Sequence, residues 1–412
     1  MPLIDMKDLL MHAYEHGYAV GAFDLTDLDF LPAVLAAAES ARAPVILTVT
    51  ESRFRGPVFE WVMAAVEVAA EQAAVPVAIE IHGGRDSDSV TRGVRLGAHG
   101  IVASAFQESL FRHIDRTRAV VDVAHACGVP VEGELAYVPD GDAAQDQTPR
   151  HAPHTTVAEA KGFVERTKVD FLAVSVAMAH GHAGSRADWA RLKEINAALA
   201  MPLGVYGEAT LGDEPCRRLI MLGVAKIRCA LVPGAIAGER LRTNVRRDRR
   251  ARYEDLKEGI DEAIIAQLEP RMRVWGSAGR AAEVQSRCRP WSNIMHVLMF
   301  DAPRLAAPAL AALIEEGRQV LSGIPGVRTV QAADMVTEGG RYRHCMLTRL
   351  ASAVAAEGLH RHPAYTAFMD RRLMPAAADC IAGDYQVSSA ITKTTAPGAL
   401  PQALHPAPAA KR

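Results

Sequence analysis

Eight times between residues 18 and 231 the chain passes from a short β-rich run into a longer stretch whose apolar residues recur near the helical period. The runs are YAVGAFD (18–24), PVILTVT (44–50), PVAIEIH (76–82), GIVASA (100–105), VPVEGEL (129–135), DFLAVSVA (170–177), PLGVYG (202–207) and AKIRCAL (225–231). Stretches such as LDFLPAVLAAAESA and TRAVVDVAHACG lie between them. Parallel strands need such crossovers, and eight of them predict a closed (β/α)8 TIM barrel, with an open doubly wound sheet as the alternative. A barrel of this kind keeps its chemistry at the carboxyl ends of its strands. The polar residues at those ends are Asp24, Thr50, Glu51, His82, Ser104, Glu134, His180, Tyr206 and Arg228.

Helical sequence continues to residue 284, and the polar stretch QSRCRPWSN (285–293) reads as a linker. Residues 294–388 then run strand, helix, strand, strand, helix, strand, the order of a ferredoxin-like α+β unit. Residues 389–412 are rich in Pro and Ala without an apolar period and read as a disordered tail. With 49% hydrophobic residues in 412 and a net charge of −2 without charge blocks, nothing favours nucleic acid or a membrane as partner. A small molecule is the default ligand. Six scattered cysteines form no CxxC pair, and neither a basic leader nor a long apolar run is present, so the reading is a cytoplasmic protein.

The segments GYAVGAFDLTDLDFLPAVLAAAESARAPVILTVTES, FVERTKVDFLAVSVAMAHG, LGVAKIR and RMRVWGSAGRA lie within residues 1–284, and through them that part of the chain resembles the class II, zinc-dependent fructose-bisphosphate and tagatose-bisphosphate aldolases. Where that family reads HLDHG, this chain reads EIHGG, which puts His82 at the catalytic Asp and Gly83 at the first zinc-binding His. The second zinc His is matched by His180, and the third by Tyr206. Of the phosphate-binding loops, Gly181 and Gly207 are kept while the expected Ser is Ala209. Two substrate-site Asn positions are Asp24 and Arg228. The resemblance therefore implies a retained scaffold with an altered metal site.

In the second unit HVLMF, IPGVRTV, RHPAYTAFM and DYQV occur in the order found in the stress-responsive A/B barrel (Dabb) family, which it resembles. Members join two ferredoxin-like sheets into a dimeric barrel. With the tendency of the aldolases to associate, this implies a homodimer or homotetramer. His296, His344, His362 and Tyr365 could line a cleft there, with dimerisation the favoured role of the unit.

Alternation along a strand puts Glu80 and His82 on one face, which suits His82 as a general acid/base; a hydrogen-bonded structural histidine is the bland alternative. Glu80 and Lys226 are expected to pair across the barrel floor, in preference to a Schiff-base role for Lys226. Glu134 beside His180 suggests a proton relay, and zinc, if retained, would be held by His82, Glu134 and His180, or with help from His151 and His154 in the loop HAPH. Arg85 and Arg228, with Arg53, Arg55 and Arg186, point to an anionic substrate. Tyr206 could polarise a carbonyl.

The expectation is thus an aldolase-type lyase acting on a small anionic carbonyl or phosphorylated substrate, without cofactor. His82, Glu134, His180 and Tyr206 would be catalytic, and Asp24, Arg85, Gly181, Gly207 and Arg228 would bind substrate. The rival readings are a zinc-dependent ketose-bisphosphate aldolase with relocated ligands and a non-catalytic ligand-binding scaffold.

Overall fold

The computed structural model describes residues 2–54, 57–104, 109–135, 155–175, 188–206, 212–229, 232–337 and 339–387. Strands β1 (Val20–Asp24), β2 (Val45–Thr50), β3 (Val77–His82), β4 (Gly100–Ala103), β5 (Val131–Glu134), β6 (Phe171–Ala173), β7 (Leu203–Tyr206) and β8 (Val224–Cys229) are parallel and close into a barrel in chain order, with β1 bonded to β8. The closed barrel is the predicted one, and the open sheet is excluded.

Strand alternation sorts the side chains into two environments. Phe23, Leu47, Val49, Ile79, Ile81, Val205 and Ile227 turn outward and pack beneath the surrounding helices. The inward residues form three levels. At the bottom, Val20, Ala22, Ile46, Ala78, Phe171 and Ala225 pack with Met6, Leu9 and Leu10 of the helix Met6–Glu15, which plugs that end. Asp5 starts this plug by accepting hydrogen bonds from the Lys7 and Asp8 N–H groups. Above lie Thr48, Glu80, Glu132 and Lys226, and at the mouth Asp24, Thr50, His82, Glu134, Tyr206 and Arg228, all buried. A one-residue slip would turn these polar residues into the apolar layer, so the pattern pins the register.

The helix Ala281–Arg287 extends into the stretch expected to be a linker. The residues after this helix are tied down: the Trp291 N–H donates to the Leu3 carbonyl at 2.9 Å, and Arg289 pairs with Asp8 at 2.8 Å. Strands β9 (Ile294–Asp301), β10 (Val327–Asp334), β11 (His344–Leu350) and β12 (Asp379–Gln386) form an antiparallel sheet ordered β10-β11-β9-β12. Leu298, Phe300, Met346 and Leu350 on one face pack with Leu313, Leu321, Leu359 and Phe368 from the helices that connect the strands.

This second unit docks on the barrel end opposite the mouth. Arg328 makes two 2.7 Å bonds to the Glu67 carboxylate and one of 2.8 Å to Asn293, and the Ser352 hydroxyl donates to the Cys127 carbonyl at 2.6 Å. No helix among the described residues is long and apolar enough to cross a membrane, and none of the six cysteines is joined in a disulfide.

Candidate active site

The polar interior is built from two tiers. In the lower one the Lys226 ammonium lies between Glu80 and Glu132, with 2.6 Å to Glu132. Thr48 donates to the other Glu80 oxygen at 3.2 Å, and the Tyr206 phenol donates to the other Glu132 oxygen at 3.1 Å. The expected Glu80–Lys226 pair is present, and Glu132 is a partner the sequence reading missed. Its position two residues below Glu134 on the same strand face was the available signal.

In the upper tier Arg228 grips Asp24 with both ends of its guanidinium, Nε at 2.8 Å and Nη2 at 2.6 Å. Thr50 lies 3.5 Å from the same Nη2, and the guanidinium carbon sits 5.1 Å from the centre of the Tyr206 ring. Arg228 stands opposite Ala22 in the register, so its side chain climbs one level to meet Asp24 at the end of β1. Nη1 of Arg228 is buried without a hydrogen-bond partner among the described residues.

Across the mouth His82 Nε2 lies 3.5 Å from Glu134 Oε2, longer than a full hydrogen bond. Both ring nitrogens of His82 and both oxygens of Glu134 are buried without a hydrogen-bond partner among the described residues. Unpaired buried polar atoms are costly, and where they cluster at a strand-end mouth they mark a place prepared for a ligand.

Burial pushes the Glu134 carboxyl up, but the facing His82 imidazole, the Ser104 hydroxyl and the Arg228 guanidinium outweigh it and hold the acid below its ordinary value. Asp24 is likewise buried, and Arg228 holds it low. In the lower tier burial and the neighbouring Glu80 raise Glu132 despite Lys226, while the two carboxylates keep Lys226 protonated against its burial. Burial and then the Glu132 and Glu134 charges keep the Tyr206 phenol protonated. The mouth therefore offers an ionised carboxylate beside an imidazole, with a guanidinium nitrogen nearby.

The structure thus brings together Asp24, His82, Glu134, Tyr206 and Arg228. Two expected roles change. Asp24 and Arg228, read separately as substrate contacts, neutralise each other, which leaves Nη1 as the free donor; Tyr206 spends its phenol on Glu132 below and does not present it to the mouth. Arg85 and Arg53 lie exposed beyond their strands. His180, Gly181, Gly207, Ala209, Arg55, Arg186, His151 and His154 lie outside the described residues.

The aldolase resemblance implies a zinc ion, which is held by at least three N, O or S donors. Here His82 and Glu134 converge with unpaired atoms, while Gly83 adopts φ +106° with open space where a side chain would start, and the Asp24 carboxylate is committed to Arg228. The described residues supply two donors and place a guanidinium beside them, so by themselves they do not fit the ion. In the second unit His296 and Tyr365 meet at 3.0 Å, joined through Asp384 to His360, whereas His344 pairs with Asp334 and His362 caps the helix Pro363–Phe368.

Comparison with known proteins bears on the barrel. The chain is 31% identical to the "Probable fructose-bisphosphate aldolase" of Bacillus subtilis (strain 168) over 292 residues, covering 68% of this chain and 100% of that protein. It is 29% identical to the sulfofructosephosphate aldolase of Alkalicoccus urumqiensis, covering 68% of this chain and 99% of the relative. The crystal structure of the YdjI aldolase from Escherichia coli K12 superposes with a TM-score of 0.59 at 25% identity, over 68% of this chain and 99% of that one. Residues 4–280 match the family described as "Fructose-bisphosphate aldolase class-II". The eight-stranded barrel, its strand-end polar mouth and these matches agree, and the chain belongs to the class II fructose-bisphosphate aldolase family.

Proposed function

We propose that the chain is an aldolase-type lyase whose mouth cleaves or forms a carbon–carbon bond next to a carbonyl on a small anionic substrate, with protons moved by His82 and Glu134 and without the family's zinc. The observation that carries this reading is the pair of buried, facing groups, His82 and Glu134, whose four polar atoms lack hydrogen-bond partners among the described residues. In the cleavage direction His82 takes the proton of the β-hydroxyl, the Cα–Cβ bond breaks as that oxygen becomes a carbonyl, and the electron pair passes to the substrate carbonyl as an enolate. Glu134, ionised beside the ring, stabilises the imidazolium that forms. Arg228 Nη1 supplies a charged donor for the enolate oxygen or an acidic substituent. The relatives' names speak for a phosphorylated ketose, and a β-keto acid, whose enolate forms more readily, needs less charge stabilisation.

A zinc-dependent reaction is the second reading, because the same unpaired His82 and Glu134 atoms are suitable donors and His180 is available in the sequence as a third. Cleavage of ketose phosphates and β-keto acids by chelator-treated protein separates the readings. His82→Asn should lower kcat by about 10²–10⁴-fold while chelation leaves the wild type active. Activity abolished by chelation and restored by about one zinc per chain would sink the metal-free reading. If no substrate turns over and His82→Asn leaves ligand affinity unchanged, the scaffold reading takes its place.

We further assign the second unit as ferredoxin-like and Dabb-related, a dimerisation module. Its support is the strand order with helices on one face, and an opposite face carrying Met295, Val297, Met299, Leu347, Ile381 and Tyr385, the last two 48% and 57% exposed. Light scattering should give a multiple of the chain mass, and a monomer at micromolar concentration would count against the assignment.

A further inference from the structure

We propose that the underside of the barrel carries a separate transition-metal site, made by His12, His16 and Glu283, that takes a zinc-class dication and staples the N-terminal plug to the last barrel helix. His12 and His16 stand one turn apart at the end of the helix Met6–Glu15, and Glu283 comes from the helix Ala281–Arg287. Glu283 Oε1 lies 3.5 Å from His12 Nε2 and 3.9 Å from His16 Nε2. These separations are too long for hydrogen bonds, and they are close to the ~3.4 Å between donors around a tetrahedral ion with bonds of ~2.1 Å.

The hydrogen bonds around the trio orient its donors. His16 Nδ1 lies 2.9 Å from the His12 carbonyl, which only accepts, so the proton of the neutral ring is on Nδ1 and Nε2 carries a lone pair. His12 Nδ1 lies 2.9 Å from the Tyr18 hydroxyl, which can accept its proton and leave Nε2 free in the same way. Arg280 takes Glu283 Oε2 at 2.8 Å, so Oε1 is the oxygen turned to the rings. Three acceptor atoms within 4.8 Å of one another, with protons directed away from them, call for a cation between them. The His12 side chain is 7% exposed, and its Nε2 is buried without a hydrogen-bond partner among the described residues. Tyr18, the His12 carbonyl and Arg280 are the outer partners that metal ligands characteristically have. Imidazole and carboxylate donors suit zinc, cobalt and nickel and not calcium. The two rings are stacked at 4.0 Å and 14° between planes, so binding requires the half-exposed His16 ring to turn until its lone pair meets the ion.

Titration of chelator-stripped full-length protein with Zn(II) and with Co(II), by calorimetry and cobalt absorption, tests the site. The wild type should bind an equivalent that His82→Ala retains and that His16→Ala and Glu283→Gln each weaken by at least tenfold, with far-UV circular dichroism unchanged. The metal should also raise the wild-type Tm and not that of His16→Ala. Wild-type affinity and stoichiometry in both variants, or no equivalent beyond one lost in His82→Ala, would overturn the proposal. Should His16→Ala misfold, Glu283→Gln decides by the same titration, since its partner Arg280 is at the surface.

Discussion

Replacing Asp24 by Asn keeps the shape of the side chain and removes the charge that faces Arg228. The guanidinium is 3% exposed, and its bonds to Asp24 at 2.8 and 2.6 Å are its charged contacts; Thr50 at 3.5 Å and the Tyr206 ring at 5.1 Å cannot replace them. Breaking a buried pair from one side strands the other charge in a low-dielectric interior, at a cost of about 3–5 kcal/mol. Urea unfolding of the barrel, followed by far-UV circular dichroism, should show a loss of that size for Asp24→Asn. Arg228→Asn should cost a similar amount, since it leaves the carboxylate unpaired. The double variant, which restores the two Asn residues implied by the aldolase resemblance, removes both buried charges together. It should therefore be more stable than the sum of the single effects by at least about 2 kcal/mol. Additivity within about 0.5 kcal/mol would refute the claim that these two departures act as one charge pair.

Tyr206→Phe removes the donor to Glu132 and should cost about 1–3 kcal/mol of stability with turnover near wild type; a fall of about 10²–10³ in kcat would return the phenol to an oxyanion role. His99, 1% exposed with its ring centre 4.8 Å from that of Trp291, is pushed by burial from 6.5 to about 3. The unfolded chain binds this proton below 6.5 and the folded one does not, so the contribution is complete above pH 6.5 and is lost as pH falls towards 3. Between pH 7.5 and 5 chemical unfolding should reveal a loss of about 2 kcal/mol that is absent in a folded His99→Gln variant, and an equal loss in both would remove His99 as its source.

Much of the scaffold was legible because period and parity are local properties. The strands that end in Asp24, Thr50, His82, Glu134 and Tyr206 lie within the runs read from the sequence, and those residues stand at the mouth as their position at or near the end of each run implies. Parity also places Glu80 and Lys226 in one tier. The linker was less legible, since a helix continues to Arg287 and the residues after it are held by Leu3 and Asp8, far away in sequence.

The sequence by itself determined the eight-fold alternation, the polar inward faces and the family. Tertiary structure alone decided which polar groups consume one another. Asp24 and Arg228 sit at opposite ends of the barrel sequence and meet because β1 closes on β8 with a stagger that lifts one side chain to the other. The Tyr206 phenol turns down because Glu132 and Lys226 form a charged tier beneath it, and His12, His16 and Glu283 meet because the plug and the last helix share the barrel floor. Strand parity is set by neighbouring residues, whereas charge pairing depends on how all eight strands close.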